Sequence, residues 1–139
     1  IDPERTASIL TDATDAVLDG VLTVATGLVI AQRDGIGAVA TGPDTSGGWD
    51  GALARHAVIA MGRLGGREIG YASDADVLFV HEAHDAVSEA AAAQEAEAVA
   101  KQVVGLLASA RPHPLEVDSD LRPEGRQGVM SRSLEAYGE

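Results

Sequence analysis

The sequence predicts an α/β (α+β) chain in which a small mixed sheet is flanked by two long helices. Apolar residues recur at spacings of three and four near the start of the chain and again after residue 84, which is typical of helices. Between them, the apolar runs His56–Met61 and Val77–Val80 have strand length, are rich in β-branched or aromatic residues, and are separated by turn signals. With 139 residues, the chain is long enough to form one domain with a sizeable core.

The first helix is predicted from Pro3 to about Arg33. Asp2 can cap its first turn, and Pro3 suits the first helical position. The apolar residues predicted to face the core are Leu10, Ala13, Val17, Val21, Val24 and Leu28. The same stripe could also belong to a coiled coil, but we favour a helix packed on its own domain. The following segment, residues 35–51, is rich in glycine with little periodicity, and we expect a flexible loop.

The second long helix is predicted from His84 to Ala110, with Asp85 as a plausible N-cap. Its predicted buried stripe consists of Val99, Val103, Leu106 and Ala110. The two prolines that follow, Pro112 and Pro114, cannot continue a helix and end it.

A third strand is predicted over Leu115–Leu121. Since side chains alternate along a strand, Glu116, Asp118 and Asp120 would share one face. Residues 129–131 are expected to form a fourth short strand, and Ser133 could cap a helix after it.

Composition excludes several classes of function. Ten basic and 22 acidic residues give a net charge of −12, which argues against binding nucleic acid by neutralising phosphates. The absence of cysteine excludes disulfides and thiolate zinc sites and fits a reducing cytoplasm. We find no run of about 18 apolar residues, so we expect no membrane span. The chain begins without methionine and is interpreted as a piece of a longer protein.

The residues with the clearest chemistry are a glycine pair and a pair of aspartates. Asp74 and Asp76, two apart at the start of an apolar strand, would present their carboxylates side by side. Two such charges 4–5 Å apart repel by roughly 3–4 kcal/mol, and a divalent cation between them removes that cost. Upstream, Gly65 and Gly66 would let a backbone approach a ligand closely, and a glycine turn before a helix N-terminus offers N–H groups to phosphate. Together these features indicate a site for a magnesium–nucleotide complex.

These residues resemble a known signature. The glycine pair followed by Asp74 and Asp76 on a strand is similar to the pattern of the polymerase-β-type nucleotidyltransferase superfamily. Two longer segments, GRLGGREIGYASDADVLFV at residues 62–80 and EVDSDLRPEGRQG at residues 116–128, resemble the glutamine-synthetase adenylyltransferase family. That family contains bifunctional enzymes that attach AMP to a tyrosine of glutamine synthetase and remove it.

The resemblance implies a polymerase-β-like nucleotidyltransferase fold. Within it, residues 1–34 would form the N-terminal helix, residues 35–51 the flexible loop and residues 52–139 the catalytic core, and the helical domain that follows in the family would be absent. The isolated chain could therefore bind nucleotide weakly and show no transfer by itself.

The implied activity is the Mg²⁺-dependent transfer of AMP from ATP to a tyrosine hydroxyl of glutamine synthetase, which regulates nitrogen assimilation. Two Mg²⁺ ions would be held by Asp74, Asp76 and Asp118, and Asp118 could also draw the proton from the attacking hydroxyl. Asp120 lies on the same predicted face and is the rival of Asp118. The residues implied to contact the triphosphate are Gly65, Gly66, Ser73 and Arg122. The implied partners are glutamine synthetase and a nitrogen-signalling regulatory protein, with no nucleic acid and no membrane.

Alternatives stay open for individual residues. The glycines could make only a tight turn, Ser73 could cap it, and Arg122 and Arg126 could make ordinary surface ion pairs. Arg63 and Arg67 lie near the glycines without an assigned role. The four histidines make no recognisable ligand set; they are His56, His81, His84 and His113.

Alternatives stay open for the activity as well. The wording of the two segments is closer to the half of the enzyme that adds AMP than to the half that removes it by phosphorolysis. A nucleotidyltransferase acting on another substrate would share the glycines and the aspartate pair. A non-catalytic domain of this fold would lack one of the carboxylates.

Overall fold

The structure is a computed structural model that describes residues 2–121 and 124–138. Its four helices are α1 (Pro3–Asp34), α2 (Gly62–Gly65), α3 (Glu89–Ser109) and α4 (Leu134–Tyr137). Its four strands are β1 (Ala54–Ala60), β2 (Ala75–Ala83), β3 (Val117–Asp118) and β4 (Ser131–Ser133), and 3₁₀ turns lie at Ile36–Val39 and Gly125–Gln127. The predicted α/β class, with two long helices and a small mixed sheet, is confirmed.

Strand β2 is the centre of the sheet. β1 pairs with it in antiparallel fashion from Ala54 opposite Ala83 to Ala60 opposite Val77. β3 and β4 are both parallel to β2 and pair with its other edge, one after the other. The third predicted strand was too long, since only Val117–Asp118 forms a ladder, and the fourth lies two residues later than predicted.

Helix α1 has the predicted bounds but not the predicted buried face. Asp2 accepts a hydrogen bond from the Glu4 N–H at 3.0 Å, which fixes the start of the helix. Val17 is 47% exposed and Val24 is 53% exposed, so this part of the predicted stripe was wrong. The residues buried in α1 are Thr11, Leu18, Ala25, Thr26, Gly27, Val29 and Ile30. Because apolar residues occur on more than one side of this helix, their spacing alone did not select the face that packs.

Helix α3 begins later than predicted. Its cap is Ser88, which accepts from the Ala91 N–H at 3.2 Å, and not Asp85. Val99 and Val103 are buried as predicted, whereas Ala110 is exposed and only caps the end of the helix. Both Asp85 and Ser88 are good capping residues, and the sequence did not distinguish them.

The segment between α1 and β1 is attached to α1 by the single tryptophan. The Trp49 indole N–H donates to the Thr23 carbonyl oxygen at 2.7 Å, and its ring lies against Gly27. The absence of a side chain at Gly27 makes room for the ring: a Cβ there would lie 2.5 Å from a ring atom. Residues 35–51 are irregular apart from one 3₁₀ turn, as predicted, and their expected flexibility stays a prediction.

Both long helices pack on one face of the sheet. Val77 and Phe79 of β2 share a core cluster with Leu18 of α1 and with Val99 and Val103 of α3. Because side chains alternate along β2, Asp76 lies on the opposite face. Asp76 is therefore directed away from the helical core.

By length and composition, α1 could cross a membrane, and among the described residues it is the one helix that meets this test. A core helix of a globular domain meets the same test, and here 33% of the apolar stretch is buried against the rest of the chain. The expectation that nothing spans a membrane stays a prediction.

Candidate active site

The pairing of β2 with β3 places Asp118 directly beside Asp76. Their Cα atoms are register partners in the parallel ladder, and the Ala75 N–H donates to the Glu116 carbonyl oxygen at 3.0 Å. Neighbouring strands lie about 4.8 Å apart, and register partners project to the same face. Acidic side chains separated by more than forty residues of chain are thus neighbours on the face away from the long helices.

We expected Asp74 and Asp76 to lie in the same strand, but Asp74 lies just before β2, so this expectation was wrong for Asp74. It is exposed and lines a groove of about 300 Å³ between the end of β3 and helix α3. The other lining residues that bear on the site are Glu116, Asp118, Asp120 and Arg126, and α3 contributes Val104 and Ala108. Asp74 and Asp118 therefore line the same groove, and Asp76 and Asp118 are register partners in the β2–β3 ladder.

Gly62 is a residue of the site that sequence reasoning missed. Its φ is +51°, and a Cβ at this position would lie 2.5 Å from the Asp76 carboxylate oxygen Oδ2. The Met61 N–H donates to the Asp76 carbonyl oxygen at 2.8 Å and holds this part of the chain against β2. The available signal was the position of Gly62, the first glycine after the apolar run that forms β1.

Gly65 and Gly66 lie at the end of the one-turn helix α2, so the expected order of a glycine turn followed by a helix was wrong. Their N–H groups donate to the Met61 and Gly62 carbonyl oxygens at 2.8 and 2.9 Å. A Cβ at Gly65 would lie 2.6 Å from the Ala60 carbonyl oxygen, so this position needs glycine to return close to β1. A phosphate-binding role for the pair stays a prediction.

Ser73 is a short distance before the aspartates. Its hydroxyl oxygen accepts from the Gly70 N–H at 3.1 Å, which makes the local turn that was its alternative role. The hydroxyl hydrogen is a donor that this hydrogen bond does not use. Contact of this hydroxyl with a triphosphate stays a prediction.

Asp118 and its rival Asp120 have different surroundings. The Asp118 oxygen Oδ1 accepts from the backbone N–H of Asp120 at 2.8 Å. The Asp120 carboxylate instead pairs with Arg126, with 2.5 Å between Oδ2 and Nε. The hydrogen bond to Asp120 and the nearby charges of Asp120 and Asp118 raise the pKa of Arg126 above its ordinary value. Arg126 thus makes the surface ion pair that was its alternative, and Arg122 lies outside the described residues.

Arg67 near the glycines and two of the histidines have partners elsewhere in the fold. Arg67 donates to the Ser8 hydroxyl and the Asp12 carboxylate of α1 at 2.7 and 2.8 Å. His56 bonds the buried Glu95 and His81 bonds Ser131, so each of these histidines has a partner inside the fold.

The aspartates fit magnesium in one specific way. Within residues 2–121 and 124–138, no three His, Asp or Glu side chains are arranged as a ready-made metal cage. Mg²⁺, however, is typically held by one or two carboxylates together with waters and substrate phosphates. The neighbouring carboxylates of Asp76 and Asp118, with Asp74 close to Asp118, match that requirement.

Comparisons with known proteins identify the family that this chain matches. A family model described as glutamate-ammonia ligase adenylyltransferase matches residues 2–139. The bifunctional glutamine synthetase adenylyltransferase/adenylyl-removing enzyme of Mycolicibacterium smegmatis is 56% identical over 89 residues, which are 63% of this chain and 9% of that protein. The enzyme of the same name from Streptomyces coelicolor is 54% identical over 85 residues, 60% of this chain and 8% of that protein. The chain therefore spans about a tenth of the length of these curated relatives.

Proposed function

We propose that this chain, which belongs to the glutamate-ammonia ligase adenylyltransferase family, contributes the nucleotide site of an enzyme that transfers AMP from ATP to a tyrosine hydroxyl of glutamine synthetase. The names of the relatives support glutamine synthetase as the partner. One structural observation carries the proposal: Asp118 of β3 lies in register with Asp76 of β2, beside the Gly62 turn.

Each described residue has a task in this proposal. Asp74, Asp76 and Asp118 would hold Mg²⁺, and Asp118 would take the proton of the attacking tyrosine hydroxyl. The Ser73 hydroxyl would donate to a phosphate oxygen, and Gly65 and Gly66 would lie against the triphosphate, as the family resemblance implies. When bound, two Mg²⁺ ions would lower the charge on the attacking and departing oxygens. The tyrosine oxygen would attack the α-phosphorus of ATP, and pyrophosphate would leave.

The net charge of the chain supports a requirement for a divalent ion in ATP binding. The chain carries a net charge of −12, so it repels free ATP, and a divalent ion is needed to make the approach of a triphosphate favourable. The same charge disfavours nucleic acid as the substrate. A cytoplasmic location and a nitrogen-signalling partner belong to the proposal through the family resemblance only.

Isothermal titration of this chain with a non-hydrolysable ATP analogue, with and without Mg²⁺, tests the proposal. We expect binding only with Mg²⁺, and we expect Asp74→Asn to weaken it at least tenfold, because one carboxylate ligand is lost. The matched control is Asp85→Asn, an exposed aspartate beyond the other end of β2. Unchanged binding in Asp74→Asn would show that the site lies elsewhere.

The direction of the reaction needs a second measurement. In a polypeptide of the relatives' length that carries this chain, Asp76→Asn should abolish AMP attachment to glutamine synthetase and leave AMP removal intact. The opposite result would assign this chain to the removing half.

A further inference from the structure

The turn after β3 contains an interaction that the proposed mechanism does not use. Arg126 lies in the 3₁₀ turn Gly125–Gln127 and reaches back over the chain to the Asp120 carboxylate. Among the described residues that line the groove, Arg126 is the one cation, and the acidic residues that line it too are Asp74, Glu116, Asp118 and Asp120. Its partner Asp120 is 34% exposed, while Arg126 itself is 85% exposed.

The same turn also determines how Asp118 is presented. The Asp120 backbone N–H donates to Asp118 Oδ1 at 2.8 Å, so one oxygen of Asp118 is fixed by the residue whose side chain binds Arg126. A carboxylate with one oxygen fixed in this way has its second oxygen directed, which is the usual task of groups that surround a metal ligand. β3 ends at Asp118, so the hydrogen bond from the Asp120 N–H to Asp118 lies outside the ladder.

From this geometry we propose that Arg126 is a positioning residue: through its ion pair with Asp120 it holds the turn that orients Asp118 for the metal. The inference rests on the proposed function, since it adds to the same site a residue that orients a metal ligand without touching the metal. It also explains why Asp120, on the strand face predicted for Asp118, is not the third metal ligand: its carboxylate is already engaged with Arg126.

A direct contact of Arg126 with the triphosphate is the competing role, and the two roles predict different results for Asp120→Asn. If Arg126 positions Asp118, removal of either partner gives the same loss. If Arg126 binds phosphate, Asp120→Asn releases it toward the nucleotide and binding becomes tighter. A double-mutant cycle separates these cases.

The experiment measures Mn²⁺ binding to this chain by electron paramagnetic resonance, in the presence of a non-hydrolysable ATP analogue. Arg126→Ala and Asp120→Asn should each weaken Mn²⁺ binding about tenfold, at the low end of the effects of groups around a metal ligand because the pair is partly exposed. The double variant should lose no more than either single variant, and Arg126→Lys should recover part of the loss. The matched control is Arg55→Ala, which breaks an exposed arginine–glutamate pair at the other end of the sheet.

A second readout needs no metal. Hydrogen exchange of the Asp120 amide, measured by NMR on the metal-free chain, should accelerate in Arg126→Ala and not in Arg55→Ala. Unchanged exchange and unchanged Mn²⁺ binding in Arg126→Ala would overturn the inference, and so would tighter nucleotide binding in Asp120→Asn. If instead Asp76→Asn leaves Mn²⁺ binding unchanged, the proposed function fails, while the exchange measurement still decides the role of Arg126.

Discussion

Gly62 shows how a single residue determines the shape of the candidate site. The chain passes over the Asp76 carboxylate at this point with a φ of +51°, a conformation that glycine adopts without strain. The closest carboxylate oxygen occupies the space that a Cβ would need. The glycine therefore serves both the turn and the placement of Asp76.

We expect Gly62→Ala to abolish Mg²⁺-dependent nucleotide binding and to destabilise the chain by about 1–3 kcal/mol, because the new methyl group displaces Asp76 and strains the backbone. Calorimetric titration and urea unfolding would measure the two effects. Gly20→Ala is the matched control: no atom lies within 4 Å of a Cβ at Gly20, inside α1. That control should gain about 1 kcal/mol from helix propensity and bind as before. Full binding by Gly62→Ala would contradict the assigned role.

Glu95 is a second residue whose contacts affect the stability of the fold. Its carboxylate is only 4% exposed and accepts from His56, from Arg33 and from the Leu53 and Ala54 N–H groups. Burial by itself raises the pKa of Glu95, but the hydrogen bonds from His56, the Leu53 N–H and Arg33 outweigh it and leave the pKa below its ordinary value. This carboxylate thereby holds the start of β1 against α3.

A carboxyl whose pKa is lower in the folded state stabilises the fold above its unfolded pKa, and that contribution is lost as the pH falls through the folded pKa. We therefore expect the free energy of unfolding to fall as the pH is lowered below about 4.5, close to the ordinary pKa of glutamate. Glu95→Gln should reduce this slope and cost about 3 kcal/mol near pH 7, because Arg33 and the buried His56 side chain lose their charged partner. Urea unfolding at a series of pH values measures both, with the exposed Glu68→Gln as control. A slope in Glu95→Gln equal to that of the unaltered chain would contradict this account.

At the scale of elements, α1 shows what the sequence could and could not predict. Its ends followed from Asp2, Pro3 and the composition, because caps act locally. Its buried face did not, because small residues such as Ala25 and Gly27 are buried while Val24 is exposed. That choice depends on the approach of α3 and of the Trp49 ring, which no local spacing contains.

The strands near the site also show what local sequence patterns cannot predict. The two apolar runs identified β1 and β2. The length of β3 was not predicted, because the ladder ends at Asp118, whose side chain accepts from the Asp120 N–H. The aspartates could be predicted from their spacing and the family resemblance. Gly62 was missed, because its position after the apolar run of β1 does not reveal its closeness to Asp76.

Gly27→Ala tests the contact between α1 and Trp49, which lies in the loop before β1. In an open helix this change would stabilise the chain by about 1 kcal/mol, but here the Cβ would lie 2.5 Å from the Trp49 ring. We expect net destabilisation and a red shift of the fluorescence of Trp49, the single tryptophan, as its ring moves into water. Gly20→Ala again provides the control, and an unshifted spectrum in Gly27→Ala would mean that the ring does not pack on α1.

At the scale of the whole molecule, the two faces of the sheet have different roles. One face packs both long helices and carries the stability of the domain, while the other brings together acidic residues from the ends of β2 and β3. In a chain of net charge −12 this clustering is unfavourable until a divalent cation binds. The central claim is therefore that acidic residues from two distant parts of the chain share one metal–nucleotide site.

Paramagnetic broadening by Mn²⁺ tests that claim most directly. NMR spectra of the ¹⁵N-labelled chain would be recorded with a non-hydrolysable ATP analogue while Mn²⁺ is added in substoichiometric amounts. The account predicts that the amides of residues 62–66, 74–76 and 118–120 broaden together, at the same low Mn²⁺ concentration. Broadening of only one of these segments, or first broadening around His56 and His84, would contradict a shared site.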